Sequence, residues 1–326
     1  MKSYIAAIAI FALVLSCDEG KNANHRILPN SSGNLNSLSV VLDNSVWEGQ
    51  IGEEIRNIFA APVDGLPQEE PLFSLRQMPT HVFSGFATNS RTILKIEKGK
   101  EAGLKVAEDA YARPQKMVVV SGMNNEEVIK QLRDNAPKII ATFKNADIKE
   151  KLRRIKKSLN TNNNIEKNLG LNITFPSVYR MAKDDDDFAW IRKDITTGTM
   201  DLMIYELPMG AIKRSDSVIN DIIRMRDSIG KVHIPGAKEG SHMQTEKAFS
   251  PLLFETIVDN KPTLETKGTW DIKDGAFMGG PFINYIIEDK INNRLVVLEG
   301  YVFAPSVQKR DYMFELEAII KSVKIK

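Results

Sequence analysis

The chain has 326 residues, with 44 basic and 42 acidic side chains and a formal charge of +2, so its overall balance gives no electrostatic case for a nucleic-acid partner. At 42% hydrophobic and 26% charged residues the composition is that of an ordinary globular protein, and the length suits roughly two domains.

Lys2 precedes an apolar run from Tyr4 to Leu15, near the roughly 7 to 15 residues of a signal h-region and short of the roughly 18 that would span a bilayer. Val14, Ser16 and Cys17 then follow the pattern of a bacterial lipobox, which it resembles. That resemblance implies a signal peptide over residues 1–16 and acylation of Cys17, hence a membrane attachment through N-terminal lipid. Cys17 is the single cysteine, which leaves the mature chain without disulfides, thiol nucleophiles or cysteine metal sites. Residues 17–37, rich in Asn, Ser, Asp and Gly, read as a flexible tether. Asp18-Glu19 resembles the acidic signal that sends lipoproteins of Bacteroidetes-type bacteria to the cell surface; two solvated linker charges are the plain alternative.

An α+β domain is expected over 38–164. Leu38 to Leu42 reads as a strand. Ser45 and Glu48 match a capping box before a helix carrying Trp47, Ile51, Ile55, Ile58 and Phe59. Leu72 to Met78, Thr92 to Glu97, Leu104 to Val106 and Met117 to Val120 read as strands whose short links suit a mainly antiparallel sheet. Asn124 caps a second helix with Val128, Leu132, Ile139 and Phe143 on one face, Pro137 inside it, and a basic run from Lys144 to Lys157. That run reads as a solvated face with Asp147 and Glu150 as partners; contact with anionic headgroups is the alternative.

A second α+β domain is expected over 165–326, again a mainly antiparallel sheet packed with helices. Its strands are Leu171 to Phe175, Val178 to Ala182, Phe188 to Arg192, Asp201 to Leu207, Leu253 to Val258, Leu264 to Ile272, Phe282 to Glu288 and Leu295 to Phe303. Its helices are 216–229, closed by Gly230, and 307–321. Asp184 to Asp187 lacks the alternating ligands and glycine of an EF-hand loop and reads as a hairpin turn.

Trp270, Phe277-Met278-Gly279-Gly280-Pro281-Phe282, Val297-Leu298-Glu299-Gly300-Tyr301-Val302, Ala304-Pro305, Lys309-Arg310 and Leu316-Glu317-Ala318-Ile319-Ile320 resemble a Bacteroidetes lipoprotein family of unknown function. The resemblance extends upstream through Tyr111-Ala112-Arg113-Pro114-Gln115. The element order of the second domain also looks like the PsbP-like α/β/α sandwich, a fold that mostly binds partners, although fold alone licenses no function.

Histidine is scarce: His25, His81, His233 and His242 form no metal pattern, and no GxSxG, GxGxxG or P-loop is present. Ser306-Val307-Gln308-Lys309 matches S-x-x-K, but without an SDN or KTG companion, so Ser306 reads as a helix N-cap. Asp216-Ser217-Val218 and Asp227-Ser228-Ile229 resemble O-glycosylation acceptors. No catalytic residue, metal ligand or cofactor is assigned.

The candidate binding residues are Trp270, Phe277, Met278, Gly279, Gly280 and Pro281, an aromatic-rimmed glycine loop, with Lys309 and Arg310 as rim charges. Two glycines before a proline suit a turn with φ > 0, and a structural hairpin is the alternative reading. The favoured function is a non-catalytic outer-membrane lipoprotein that binds an envelope protein or glycan. The alternative is an envelope hydrolase acting on glycan or peptidoglycan through carboxylates such as Asp271 and Asp274, which requires both in one cleft.

Overall fold

The first strand, β1 (Ser37–Val41), is buried on both faces: Leu38 and Val40 enter one apolar cluster and Val41 another. Such two-sided burial belongs to the middle of a sheet covered on both sides. In the computed structural model, which describes residues 27–275 and 277–326, β1 is flanked by β2 (Ser74–Met78) and β3 (Thr92–Lys98). With β5 (Lys116–Gly122) and β4 (Gly103–Glu108) they form a five-stranded sheet in the order β2-β1-β3-β5-β4. The expectations on residues 1–26, including the signal, Cys17 and Asp18-Glu19, lie outside the described residues.

The α+β architecture stands, but the first sheet is not mainly antiparallel. β1 runs parallel to β2 and β3, and β3 parallel to β5; only β4 runs against β5. Parallel neighbours need a crossover. The helices α1 (Asn44–Trp47) and α2 (Gln50–Phe59) supply one between β1 and β2, and residues 79–91, with two 3-10 turns, separate β2 from β3. The capping box does not form: Asp43 and Gly49 stand at the two N-caps, and the helix breaks between Trp47 and Gln50.

The helix α3 (Asn125–Ile155) begins where expected, with the Asn124 side chain accepting the Glu127 amide at 2.9 Å, and continues through Pro137. Its first half lays Val128, Leu132, Ile139 and Phe143 on the first sheet beside Ile51, Ile55 and Phe59 of α2. Its second half packs elsewhere, Ile148 against Phe314 and Ala318, and Ile155 in the core of the second sheet. The basic run is therefore not simply a solvated face. Glu150 does pair with Arg153 and Arg154, but Asp147 is buried, accepts the Asn36 amide at 2.9 Å and pairs with Arg91 at 3.3 Å.

After a short helix α4 (Asn164–Leu169), β6 (Leu171–Asn172) is a two-residue strand that pairs with the C-terminal β15 (Lys324–Ile325). The large sheet comprises β7 (Arg180–Asp184), β8 (Phe188–Ile195), β9 (Gly198–Pro208), β10 (His242–Thr245), β11 (Leu252–Val258), β12 (Lys261–Lys273), β13 (Gly279–Asp289) and β14 (Arg294–Phe303). Every pair in it is antiparallel, in the order β10-β12-β13-β14-β9-β8-β7, with β11 also on the outer edge of β12. The turn between β7 and β8 holds the acidic run, as expected.

Period-two alternation splits this sheet between two cores. Met203, Tyr205, Phe282, Val297 and Tyr301 face the helix α5 (Val218–His233), while Leu202, Ile204, Ile283, Tyr285 and Leu298 face the helix α6 (Arg310–Ile320). The result is a helix-sheet-helix sandwich. Gly230 does not end α5: it lies inside the helix, where an added Cβ would stand 2.2 Å from the Met243 carbonyl oxygen of β10.

Candidate functional site

Gly279 and Gly280 are the first residues of β13, opposite Asp271 and Trp270 of β12, and neither has a positive φ. The expected glycine turn is corrected accordingly: among the described residues of this hairpin the left-handed one is Asp274, at φ 54°. Glycine is required for close packing instead. A Cβ would stand 2.6 Å from the Trp270 carbonyl oxygen at Gly279, and 2.0 Å from the Val302 carbonyl oxygen at Gly280.

The neighbouring aromatics separate into core and surface. Trp270 is buried under α5, its ring 5.5 Å from that of Tyr301 in an edge-on arrangement. Phe282 lies beneath the Arg226 guanidinium, 3.3 Å from its ring centroid, and Arg226 pairs with buried Glu299 at 2.7 and 2.8 Å. Phe277 is fully exposed, Met278 is half-buried, and Pro281 is buried. Of the proposed aromatic rim, only Phe277 reaches solvent.

A second exposed apolar group lies on the same edge of the large sheet, separated from Phe277 by β10, which pairs with residues 270–273 of β12. β11 is an edge strand whose only partner among the described strands is β12, and Leu252, Phe254 and Ile257 on it are exposed, as is Phe249 just before it. Such an edge offers unpaired backbone groups beside apolar side chains.

Lys309 and Arg310 are not rim charges of the glycine hairpin. They begin α6, and their amides donate to the two carboxylate oxygens of buried Glu70 at 2.5 and 2.9 Å. Lys309 is itself buried and donates through Nζ to the Val307 carbonyl at 2.7 Å, whereas Arg310 donates to the Pro71 carbonyl at 2.8 Å. Ser306 is exposed at φ 63° in the preceding turn, so it does not cap the helix, and Lys309 is committed to backbone.

A half-enclosed cavity of about 470 Å³, counting space open to solvent, lies in the seam where residues 63–72 and α3 meet β12, β13 and α6. Leu66, Leu72, Ile283, Met313 and Phe314 give it an apolar lining, and Asp64, Lys144, Lys267, Arg310 and Glu317 give it charge of both signs; Pro281 is the other residue expected in the binding site that lines it. Burial alone would raise the Glu317 pKa, but Lys321, Lys144 and Lys267 together hold it at about 2. Burial also opposes the charge on Lys267, yet Glu265 and Glu317 outweigh it and raise its pKa. At Lys144 burial prevails, and its ammonium is held below the ordinary lysine value.

Sequence reasoning missed Glu70, Lys144, Lys267 and Glu317 as a group. Lys144 was one of many cations in a basic run, and nothing local indicates that it turns toward residues more than a hundred positions away.

Asp271 stands on β12 and Asp274 in the exposed turn after it, and neither lines any of the five cavities described. Among the described residues no group of three His, Cys, Asp or Glu is arranged to hold a metal. His233 stacks on Phe188 at 3.7 Å, and burial lowers its pKa; His242 Nδ1 contacts the Gly240 carbonyl at 3.1 Å. Ser228 of the second glycosylation-like tripeptide sits within α5 and donates to the Arg224 carbonyl at 2.8 Å.

Residues 158–322 match a family described as a domain of unknown function (DUF4837), and residues 31–156 match a second one (DUF8532). No curated protein matches the chain. Similar solved structures include the Saccharomyces cerevisiae Ran-binding protein Mog1p, at 8% identity and a TM-score of 0.30, over 48% of this chain and 89% of that one. LpqN of Mycobacterium tuberculosis, described as involved in cell envelope biogenesis, aligns at 10% identity and a TM-score of 0.27, over 47% of this chain and 82% of that one. Likeness at these scores carries no argument about function.

Proposed function

We propose that this chain, which belongs to the family described as a domain of unknown function (DUF4837), is a lipid-anchored outer-membrane lipoprotein that binds a protein partner and does not itself catalyse a reaction. Acylated Cys17 is the anchor of a body of two domains, 38–164 and 165–326; of the expected tether 17–37, residues 29–37 are docked on the first sheet, Ser31 donating to the Arg113 carbonyl at 3.0 Å and buried Asn36 to Asp147 at 2.9 Å, so the tether that holds the domains clear of the headgroups is the stretch from Cys17 to Leu28. Among the described residues no helix is long and apolar enough to cross a membrane, so the lipid is the attachment that this reading requires. Asp18-Glu19 favours the outer face of that membrane.

The observation that carries the binding reading is the row of exposed apolar side chains Phe249, Leu252, Phe254 and Ile257 on and just before the unpaired edge strand β11. A partner segment in extended form can add to β11 through backbone hydrogen bonds, its alternate side chains meeting Leu252 and Phe254 on one face and Ile257 on the other. Phe277 then serves as an aromatic anchor beyond the end of β12. The test is crosslinked co-purification of the lipidated protein from membranes, comparing wild type with Ile257→Lys and Phe277→Ser. Both side chains are exposed, so melting temperatures should not change while partner recovery falls at least tenfold. Unchanged recovery in both variants overturns the reading.

A further inference from the structure

The chain enters the first domain at a place fixed by backbone hydrogen bonds. The Arg113 amide donates to the Pro29 carbonyl at 2.9 Å, Ser31 to the Arg113 carbonyl at 3.0 Å and Ser32 to the Asn89 carbonyl at 2.8 Å, so residues 29–32 are held between the 3-10 turn before β3 and the 109–115 connection before β5. Phe83 packs edge-on against Tyr111 at 5.5 Å and ties the two connections together. Ile27 lies two residues before Pro29, and Phe86 three before Asn89. At 95% and 93% exposure they are the two most exposed large apolar side chains described in residues 27–164. Single exposed apolar residues need no account, but here the two extreme ones fall where the chain leaves the domain.

Cations gather at the same exit. Arg91 donates to the Gly33 carbonyl at 2.6 Å and lines a cavity together with Pro114, Lys116, Lys149 and Arg153; Arg154 reaches the same carbonyl at 3.4 Å. With Arg113 these make six cations, against the four carboxylates Glu108, Asp109, Asp147 and Glu150. The excess lies outward. Asp147 and Glu150 are buried, whereas Arg113, Arg153 and Arg154 are exposed, and exposed Lys149 has no ion-pair partner within 4.0 Å among the described residues. Glu108 is the exposed carboxylate, and Lys116 is paired with it. Outward cations beside exposed apolar side chains match an anionic headgroup layer.

The length of the tether says which side meets the membrane, under the reading that Cys17 carries the lipid, on which this inference rests. The twelve residues from Cys17 to Leu28 span at most about 40 Å, less than the diameter, on the order of 50 Å, of a globule of this chain's length. The tether thus keeps the bulk of the body off the headgroups and leaves the exit side nearest to them. We infer that the exit side is a contact surface for an anionic lipid membrane: Ile27 and Phe86 enter the headgroup layer, and Lys149 with the outward parts of Arg113, Arg153 and Arg154 meets lipid phosphates. None of the residues assigned to partner binding belongs to this surface.

The single cysteine supplies the anchor for the test. The mature chain, residues 17–326, is coupled through Cys17 to a maleimide lipid in vesicles of phosphatidylcholine and phosphatidylglycerol. A photoreactive aromatic side chain is placed at Phe86 or, as the control, at exposed Met123 just before α3. Lipid adducts counted by mass spectrometry are expected to be at least tenfold more frequent from Phe86. They should fall at least threefold in vesicles of phosphatidylcholine alone, a comparison that needs no further variant, and likewise with Lys149→Gln. Doubling the tether with glycine and serine separates docking from nearness to the anchor, because a docked side keeps its preference. Equal adducts from Phe86 and Met123 on the doubled tether, or adducts from Phe86 that do not depend on phosphatidylglycerol, overturn the assignment. The coupling bypasses acylation, which is read separately from the mass of the protein extracted from cells. A missing acyl group would therefore remove the anchor reading and leave the vesicle result to judge the surface.

Discussion

The Glu70 carboxylate and the Lys309 amide meet at 2.5 Å across a seam that joins positions 239 residues apart in the chain. With the Arg310 amide at 2.9 Å, Glu70 satisfies two of the free N–H groups at the start of α6 and places negative charge at the positive end of the helix dipole. It does for α6 what a local cap residue does elsewhere, but from a distant part of the sequence.

Glu70→Ala leaves those two amides without their acceptor in a buried setting and should cost about 2 kcal/mol of stability. Urea unfolding followed by circular dichroism should show a lower midpoint. Lys309→Ala should shift it less, since that side chain contributes one bond to the Val307 carbonyl. Equal midpoints for wild type and Glu70→Ala would remove the cap from the account.

Much of the fold is legible locally, because alternation and helical spacing are local signals. Six of the seven strands between Phe188 and Phe303 are expected within about three residues at each end, the short edge strand β10 is not, and Asn124 caps α3 as its side-chain chemistry dictates. Strand direction in the first sheet is not legible in the same way. Val40, Leu94 and Val118 are apolar whether their neighbours run parallel or antiparallel, and the course of the connections, 42–73, 79–91 and 99–115, decides. The candidate site fares worst. Lys309-Arg310 read as surface charge because their partners, Glu70 and Pro71, belong to another part of the chain. The Gly-Gly pair read as a turn because sequence does not reveal the Val302 carbonyl that fills the space beside Gly280.

That space makes a graded prediction. Gly280→Ala would put a methyl 2.0 Å from a backbone oxygen in the centre of the sheet, and Gly279→Ala would put one 2.6 Å from another nearer the hairpin. Backbone yields less readily than side chains, so both variants should lose stability by about 1–3 kcal/mol, with Gly280→Ala the worse. Thermal melts of the pair check the order, and a reversed order would contradict the packing explanation.

Glu317 gives the fold a defined acid sensitivity. Its folded pKa of about 2 lies below the ordinary glutamate value of 4.5 that it has in the unfolded chain, because Lys321, Lys144 and Lys267 outweigh its burial. Its stabilising contribution is therefore complete above pH 4.5 and is lost as pH falls toward 2. The ceiling is about 3 kcal/mol from the size of the shift. Stability measured by denaturant at a series of pH values should fall less steeply for Glu317→Gln than for wild type through that window. Parallel curves would mean that Glu317 is not held ionised.

Cys17→Ala should release the protein from the membrane fraction with its melting temperature unchanged, since the lipid and the folded body are separated by the tether. Retention in membranes after a high-salt wash would demand a second attachment.

The central claim, that a partner docks along the β11 edge and the Phe277 hairpin, is tested most directly by photo-crosslinking in intact cells. A photoreactive side chain is placed singly at Ile257, at Phe277 and, as a control, at exposed Met123 near the start of α3. The account predicts one common adduct, identified by mass spectrometry, from Ile257 and Phe277 and not from Met123. The same adducts from all three positions, or none from the edge, would contradict it.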